Sequence, residues 1–170
     1  DGGQQIYTGP LAVLVNLASA SASEIYSAAI QDYERGIIIG STTTGKGTAQ
    51  VQLDTLAYGQ ATLTQRKFYR ITGGSTQNKG VVPDIKLVDI YNEEFGERKS
   101  KNALKWDTIP TAPFKREGSV QPYVTKLSQF SEQRVGNDAQ FKYLNKRTAI
   151  AKVTSDQKQV VLDIDKRRAE

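Results

Sequence analysis

The chain has 170 residues, with 23 Lys or Arg against 18 Asp or Glu and a formal net charge of +5. It contains no Cys and no His. That excludes a disulfide framework, a thiolate nucleophile or zinc site, and the imidazole that usually serves a reactive serine as base.

The length suits one ordinary core, or one domain with an appendage. No apolar run approaches membrane-spanning length. The chain opens at Asp1-Gly2-Gly3 without Met; an excised or processed piece is expected, so missing targeting signals say little. Charge is uneven. Residues 1–90 hold seven basic and seven acidic residues, and residues 91–170 hold sixteen and eleven. The excess is interspersed with acids, which points to solvated helical faces and not to a nucleic-acid surface.

In chain order, Gln4 to Thr8 reads as an edge strand ending at the Gly9-Pro10 turn. Pro10 to Val15 is a nearly continuous apolar run, the pattern of a strand buried on both faces. From residue 22 the apolar positions Ala22, Ile25, Tyr26, Ala29, Ile30 and Tyr33 keep helical spacing. The helix runs to Arg35, with Gly36 in the C-terminal stop position. Ile37 to Ile39 is β-branched and forms a second buried strand. Strand-helix-strand with a tight first turn implies a parallel pair and a right-handed crossover. Thr48 to Leu53 alternates as a strand, Ala57 to Gln60 is a turn, and Ala61 to Thr72 returns antiparallel. Gly73 to Gly80 is a loop by composition, and Val81 to Ile85 is a short extended segment.

Near residue 90 the composition turns charged and polar, which divides the chain into 1–90 and 91–170. Ile109-Pro-Thr-Ala-Pro113 is an extended connector. Three helices are expected beyond it. One has Pro122 in its first turn and Val124, Leu127 and Phe130 on a face. The next is capped by Asn137 or Asp138, with Phe141, Leu144 and Ile150 inward. The last carries Val160, Val161 and Ile164. The fold class is therefore α/β with an α-helical C-terminal extension, and no internal repeat is visible.

The chemistry concentrates in residues 10–50. Ser21-Ala-Ser-Glu24 fits a capping box, with Ser21 as N-cap and Glu24 at the third helical position. A serine on such a strand-to-helix turn is also held rigid beside free backbone N–H groups, where an oxyanion can be stabilised. Pattern alone does not choose among Ser19, Ser21 and Ser23. Lys46 lies between Gly45 and Gly47. Without His or Cys, a lysine amine is the best remaining base, and it must be neutral to act, so burial must lower its pKa from roughly 10.4. Gly40-Ser-Thr-Thr-Thr-Gly45-Lys46 also matches the phosphate-binding pattern G-x-x-x-x-G-K. Yet Gly47 stands where Ser or Thr should reach magnesium, and a strand pattern stands where the helix should begin.

Two blocks, Asn16-Leu-Ala-Ser-Ala-Ser-Ala-Ser-Glu-Ile25 and Thr44-Gly-Lys-Gly-Thr-Ala-Gln50, resemble the signatures of the C-terminal processing, or tail-specific, serine proteases of the S41 type. Lys67 to Ile85 is similar to their downstream strand and loop. Phe95-Gly-Glu-Arg98 and Asn102 to Ile109 resemble the C-terminal extension of the large periplasmic Prc branch. The resemblance implies a crotonase-like protease portion and a Ser–Lys dyad. Ser21 would be the nucleophile and Lys46, 25 positions later, the base. Gln50 would orient the lysine, and Ala22 would give one oxyanion N–H. No cofactor or metal is implied.

Implied substrates are proteins with apolar or unfolded C-termini, in the periplasm of a Gram-negative bacterium and in association with its inner membrane. An adaptor lipoprotein is an implied partner of the basic tail; nucleic acid and a transmembrane segment are not implied. Family members carry an upstream PDZ domain and a glycine-rich loop giving a second oxyanion N–H, and these 170 residues hold neither, so the chain alone is expected to be inactive. The rivals are a non-catalytic docking module, in which Ser21 only caps a helix, and the nucleotide-binding reading.

Overall fold

A computed structural model describes residues 6–53, 58–90, 96–159 and 161–169. The first unit is a three-stranded parallel sheet in the order β1-β2-β5. It consists of β1 (Ala12–Val15), β2 (Ile37–Gly40) and β5 (Ile85–Lys86), with helix α1 (Ala22–Asp32) linking the first two strands. The register runs Ala12 opposite Ile37 to Val15 opposite Gly40, and Ile39 opposite Ile85. Val15, Ala28, Ile38 and Val81 form the buried centre, with Val13 and Ile30 packed against it. The second unit is an antiparallel hairpin, β3 (Thr48–Leu53) with β4 (Ala61–Lys67), bulged between Ala49 and Gln50. Strand-helix-strand and hairpin are thus both present, as their periodicities require.

Several local expectations change. Gln4 and Gln5 lie outside the described residues, and Ile6 to Thr8 form no strand. Ile6 is fully exposed, and the Tyr7 and Gly9 carbonyls bond the Arg35 guanidinium instead of a neighbouring strand. Strand β1 is an edge, not a strand covered on both faces: Ala12 and Leu14 stay exposed because nothing described packs on that side.

Helix α1 ends three residues early. Glu34, at φ 53°, takes the left-handed position expected of Gly36. Its N–H bonds the Gln31 carbonyl and the Arg35 N–H bonds the Ile30 carbonyl, each at 3.0 Å, which closes the helix end. Gly36 is required for space, since a Cβ there would lie 2.6 Å from the Leu11 carbonyl oxygen. The Ala57 to Gln60 turn lies partly outside the described residues; Tyr58 and Gly59 form a bend.

Arg70 fixes the hairpin to the end of α1. Its guanidinium donates to both carboxylate oxygens of Asp32, at 2.9 and 2.5 Å, and to Gln31 Oε1 at 2.9 Å. The Asp32 side chain is 8% exposed.

Residues 96–117 lie back along this unit. A short 3₁₀ turn spans Glu97–Lys99. The Trp106 indole N–H donates to the Ser75 carbonyl at 2.8 Å, and the Lys79 ammonium sits 3.1 Å from the Trp106 ring centroid. The Ile109 N–H reaches the Gly73 carbonyl, and Phe114 meets Tyr33 edge-on.

Helix α2 (Gln121–Asn137) begins with Pro122 in its first turn and lays Leu127, Phe130 and Ser131 beside Ile37, Ile39 and Ile85. Its inward line is Val124, Ser128, Ser131 and Val135, while Leu127 and Phe130 remain largely exposed at its flank. Helix α3 (Ala139–Asp156) is capped by Asp138, whose carboxylate accepts the Gln140 and Phe141 N–H groups. Phe141, Leu144 and Thr148 face inward, and Ile150 faces solvent, because residue 150 falls on the side opposite Thr148. Helix α4 is short (Ile164–Ala169), with Ile164 and Val161 exposed. Val160 lies outside the described residues. Among the described residues no helix is long and apolar enough to cross a membrane.

Candidate active site

The parallel crossover brings the turn after β1 against the loop after β2. Residues 16–21 form the first of these. The Ser19 N–H bonds the Asn16 carbonyl at 2.9 Å, and the Asn16 N–H bonds the Ser19 hydroxyl at 3.1 Å. Ser19 is thus committed to its own turn. Ser23 lies inside α1, exposed. Ser21 differs from both. It is the N-cap of α1 and holds φ 56°, ψ −111°, a strained conformation for a residue with a Cβ. A sharp strand-to-helix turn with a serine at positive φ is the shape of a nucleophile elbow. Ala22 opens the helix behind it, and no hydrogen bond among the described residues takes its N–H. That leaves one donor at the positive end of the helix next to the Ser21 hydroxyl.

The loop 41–47 has no regular secondary structure and leads directly into β3, so no helix N-terminus follows Lys46. The phosphate cradle that Gly40 to Lys46 suggests is therefore not built. The loop is tied to the serine turn by backbone: the Thr44 N–H bonds the Ser19 carbonyl at 3.0 Å, and the Thr44 hydroxyl bonds the Leu17 carbonyl at 2.6 Å.

One buried side chain joins the two. Glu24 is fully buried. Its Oε2 accepts the Ser21 N–H and the Lys46 N–H, each at 2.9 Å. Its Oε1 accepts the Gly45 N–H at 2.7 Å and the Thr43 hydroxyl at 2.5 Å. Ser21 and Lys46 share one oxygen through their backbones, so their nitrogens lie no further apart than two hydrogen bonds laid end to end. All four partners are donors, and the glutamate acts wholly as an acceptor. The capping-box pattern locates Glu24 in the sequence but shows only its bond to Ser21; the other three depend on the loop arriving from 19 or more residues away.

Ser21 and Lys46 are both half-buried. Gln50, on β3, donates its side-chain amide to the Thr48 hydroxyl at 2.8 Å and the Thr64 hydroxyl at 3.2 Å. Those bonds hold it along the hairpin, and no described bond joins it to Lys46. The lysine loop is also braced from behind. The Asn78 N–H bonds the Gly45 carbonyl at 2.8 Å, and the Gly47 N–H bonds Gln77 Oε1 at 2.8 Å. A Cβ at Gly47 would lie 2.5 Å from the Gln77 nitrogen, so only glycine permits this approach. Gln77 is fully buried and is not singled out by any pattern in the sequence.

These residues make a mixed α/β unit in which a strained serine turn and a glycine-flanked lysine loop meet over one carboxylate. Residues 1–87 match the family model "Peptidase family S41", and residues 90–170 match "C-terminal domain of tail specific protease". The chain belongs to peptidase family S41.

It is 41% identical, over its whole length, to the tail-specific protease of Haemophilus influenzae, of which it covers 26%. It is 43% identical to the carboxy-terminal-processing protease of Bartonella bacilliformis, over 51% of this chain and 20% of that one. Among solved structures it is similar to a photosystem II D1 C-terminal processing protease, with 40% identity over 46% of this chain and 20% of that one, at a TM-score of 0.42. The chain therefore spans about a quarter or less of the length of these relatives.

Proposed function

We propose that this chain carries the nucleophile and the base of a serine endopeptidase that cleaves proteins near apolar, unstructured C-termini, within a crotonase-like domain (residues 1–90) that a helical extension (91–170) follows. The single observation that carries the reading is the shared Glu24 oxygen. It holds the strained Ser21 turn and the Lys46 loop within two hydrogen bonds of each other. A helix cap alone would not need a second loop on the same carboxylate. Family membership and the relatives named above support the same chemistry.

In the reaction, Ser21 Oγ attacks the scissile carbonyl carbon while neutral Lys46 Nζ takes the hydroxyl proton. The carbonyl oxygen gains the charge and accepts the Ala22 N–H. Collapse of the adduct breaks the C–N bond, and the lysine returns its proton to the departing amine. Water, deprotonated by the neutral Lys46 amine, then attacks the ester carbonyl; as the acyl C–O bond breaks, the lysine returns that proton to Ser21 Oγ and the carboxylic acid product leaves. Gln50 is the residue whose free amide oxygen would orient the lysine, once its side chain turns from Thr48 and Thr64. No step uses a metal or cofactor.

Ala22 supplies a single oxyanion donor, and a missing second donor costs on the order of a hundredfold or more in rate. These 170 residues alone should therefore be effectively inactive, at least about a hundredfold slower on peptide than the longer protein. The site of action would be the periplasm, where the basic extension could meet an adaptor lipoprotein at the inner membrane. Deleting residues 121–170 from the full-length protein tests that docking, by partner pull-down and substrate choice.

The dyad is tested by Ser21→Ala and Lys46→Ala in the full-length protein, assayed on an unfolded substrate with an apolar tail. Loss of cleavage at unchanged melting temperature is expected for both. Retained cleavage, with Ser21→Ala only about 1 kcal/mol less stable, would mean that Ser21 is a cap and no more.

A further inference from the structure

The backbone around Lys46 is pinned on both sides, and three of its bonds matter here. The Lys46 N–H goes to Glu24, the Gly45 carbonyl accepts the Asn78 N–H, and the Gly47 N–H donates to the Gln77 side chain. The third bond, like the first, depends on a side chain that must itself be held, and here the holding group comes from beyond residue 90. Gln77 is fully buried between two partners. Its Oε1 takes the Gly47 N–H at 2.8 Å, and its Nε2 donates to Glu97 Oε1 at 3.1 Å. Glu97 opens the 3₁₀ turn of the extension, and its own N–H bonds the Thr44 carbonyl at 2.9 Å. The neighbouring Arg98 guanidinium reaches the Thr43 carbonyl at 3.3 Å. The start of the extension therefore grips the lysine loop three times, twice directly and once through Gln77.

We infer that Gln77 is a positioning residue for the Lys46 base, and that Glu97 of the C-terminal extension sets it, so that the extension tunes the peptidase site through a Glu97–Gln77–Gly47 relay. The inference rests on the proposed role of Lys46. The polarity of the relay is fixed at both ends. Gly47 N–H can only donate, so position 77 must present an acceptor to it. Glu97 presents a carboxylate, so position 77 must present a donor there. An amide meets both demands in one planar group. A carboxylate at 77 would still accept from Gly47 but would face Glu97 with like charge. Moving that group moves the residue next to Lys46, and a shift of about 1 Å in a reacting group can cost on the order of a hundredfold in rate.

The test uses the full-length protein and an internally quenched peptide with an apolar C-terminus, with kcat and KM measured separately. Gln77→Glu is expected to lower kcat by about tenfold or more, with KM changed less than about threefold. Adding Glu97→Gln to it reverses the donor and acceptor of the 77–97 bond, leaves the Gly47 bond as it was, and should recover most of the lost kcat. A merely structural role would move KM and melting temperature with kcat and would show no recovery in the pair. Should Gln77→Glu fail to fold, Glu97→Ala at a half-exposed position carries the test, with kcat falling several-fold at constant KM. Wild-type kcat in Gln77→Glu, a loss that the pair does not repair, or wild-type kcat in Glu97→Ala overturns the relay. Lys46→Ala separates the two claims. If it keeps full turnover, the base assignment fails; if it is inactive while Gln77→Glu is not impaired, only the relay fails.

Discussion

Replacing Glu24 by Gln changes one atom of a side chain that accepts four hydrogen bonds. The amide has the same shape but presents an NH₂ group where one oxygen stood. If the NH₂ takes the Oε2 side, the Ser21 and Lys46 N–H groups face a donor; if it takes the Oε1 side, the Gly45 N–H does, since only the Thr43 hydroxyl can rotate to accept. At least one buried N–H is left unpaired, at about 1–3 kcal/mol. The surviving bonds also lose their charge assistance, about 1 kcal/mol each. The favourable placement of a negative charge in the first turn of α1 is lost as well, at roughly 0.3–1 kcal/mol.

The sum is on the order of 3–6 kcal/mol, concentrated where the serine turn meets the lysine loop. Amide hydrogen exchange on the full-length protein reads it directly. Protection of the Ser21, Gly45 and Lys46 amides should fall by about a hundredfold or more, while the β3–β4 hairpin changes far less. Peptide cleavage should be lost with it. Unchanged protection at those three amides, with cleavage intact, would refute the account of Glu24 as the clasp.

Ser21→Gly should relieve the φ 56° strain and raise stability by about 1 kcal/mol in urea unfolding, while abolishing cleavage. Asp32→Asn leaves the Arg70 guanidinium against a neutral amide at a mostly buried site and should cost about 3 kcal/mol, seen as a lower urea midpoint. The Lys67 ammonium, 2.6 Å from the Asp107 carboxylate, is the main cause holding the Asp107 pKa below its ordinary 3.8, with the Tyr69 hydroxyl assisting. A carboxyl depressed by folding stabilises the fold fully above its unfolded value and stops doing so as pH falls through its folded one. The fluorescence of neighbouring Trp106 should therefore change in acid below the ordinary 3.8 of Asp107, and Lys67→Met should move that step up towards 3.8.

What the sequence makes legible is what depends on neighbours in the chain. Alternation reveals β3 and β4, helical spacing reveals α1, and β-branching reveals β2, because each pattern reports a periodic surface. The cap of α3 is legible to within one residue, Asn137 or Asp138, because a short polar side chain before a helical run marks its start. The end of α1 is not, because Glu34 adopts a conformation that glycine usually fills, while Gly36 answers to the Leu11 backbone. The two-sided burial assigned to β1 fails because an apolar run does not say how many faces are covered; Leu14 is 77% exposed on this chain. At the site, pattern leaves Ser19, Ser21 and Ser23 equivalent, and backbone conformation separates them. Glu24 is visible as a cap but not as a four-bond acceptor, and Gln77 is not visible at all. Both act on residues at least 19 positions away, and a buried polar group is identified only by partners that folding delivers.

The change of composition near residue 90 raises the same issue at larger scale. A turn from apolar to charged sequence reports solvent exposure, whereas backbone groups require partners whatever the side chains are. Across that point the Thr44 and Gly73 carbonyls accept the Glu97 and Ile109 N–H groups, the Ser75 N–H donates to the Asp107 carbonyl, and the Tyr33 carbonyl accepts the Glu117 N–H. The Asn78 amide and the Trp106 indole add side-chain bonds in both directions. Each is worth about 0.5–1.5 kcal/mol net, so together they amount to several kcal/mol, a sizeable part of the 5–15 kcal/mol typical of a folded domain. Protein ending at residue 89 should therefore unfold at a markedly lower denaturant concentration than protein ending at residue 119, which keeps these bonds and ends before α2. Equal midpoints for the two truncations would mean that residues 96–117 rest on the peptidase portion without supporting it, and that the lysine loop holds its shape from within.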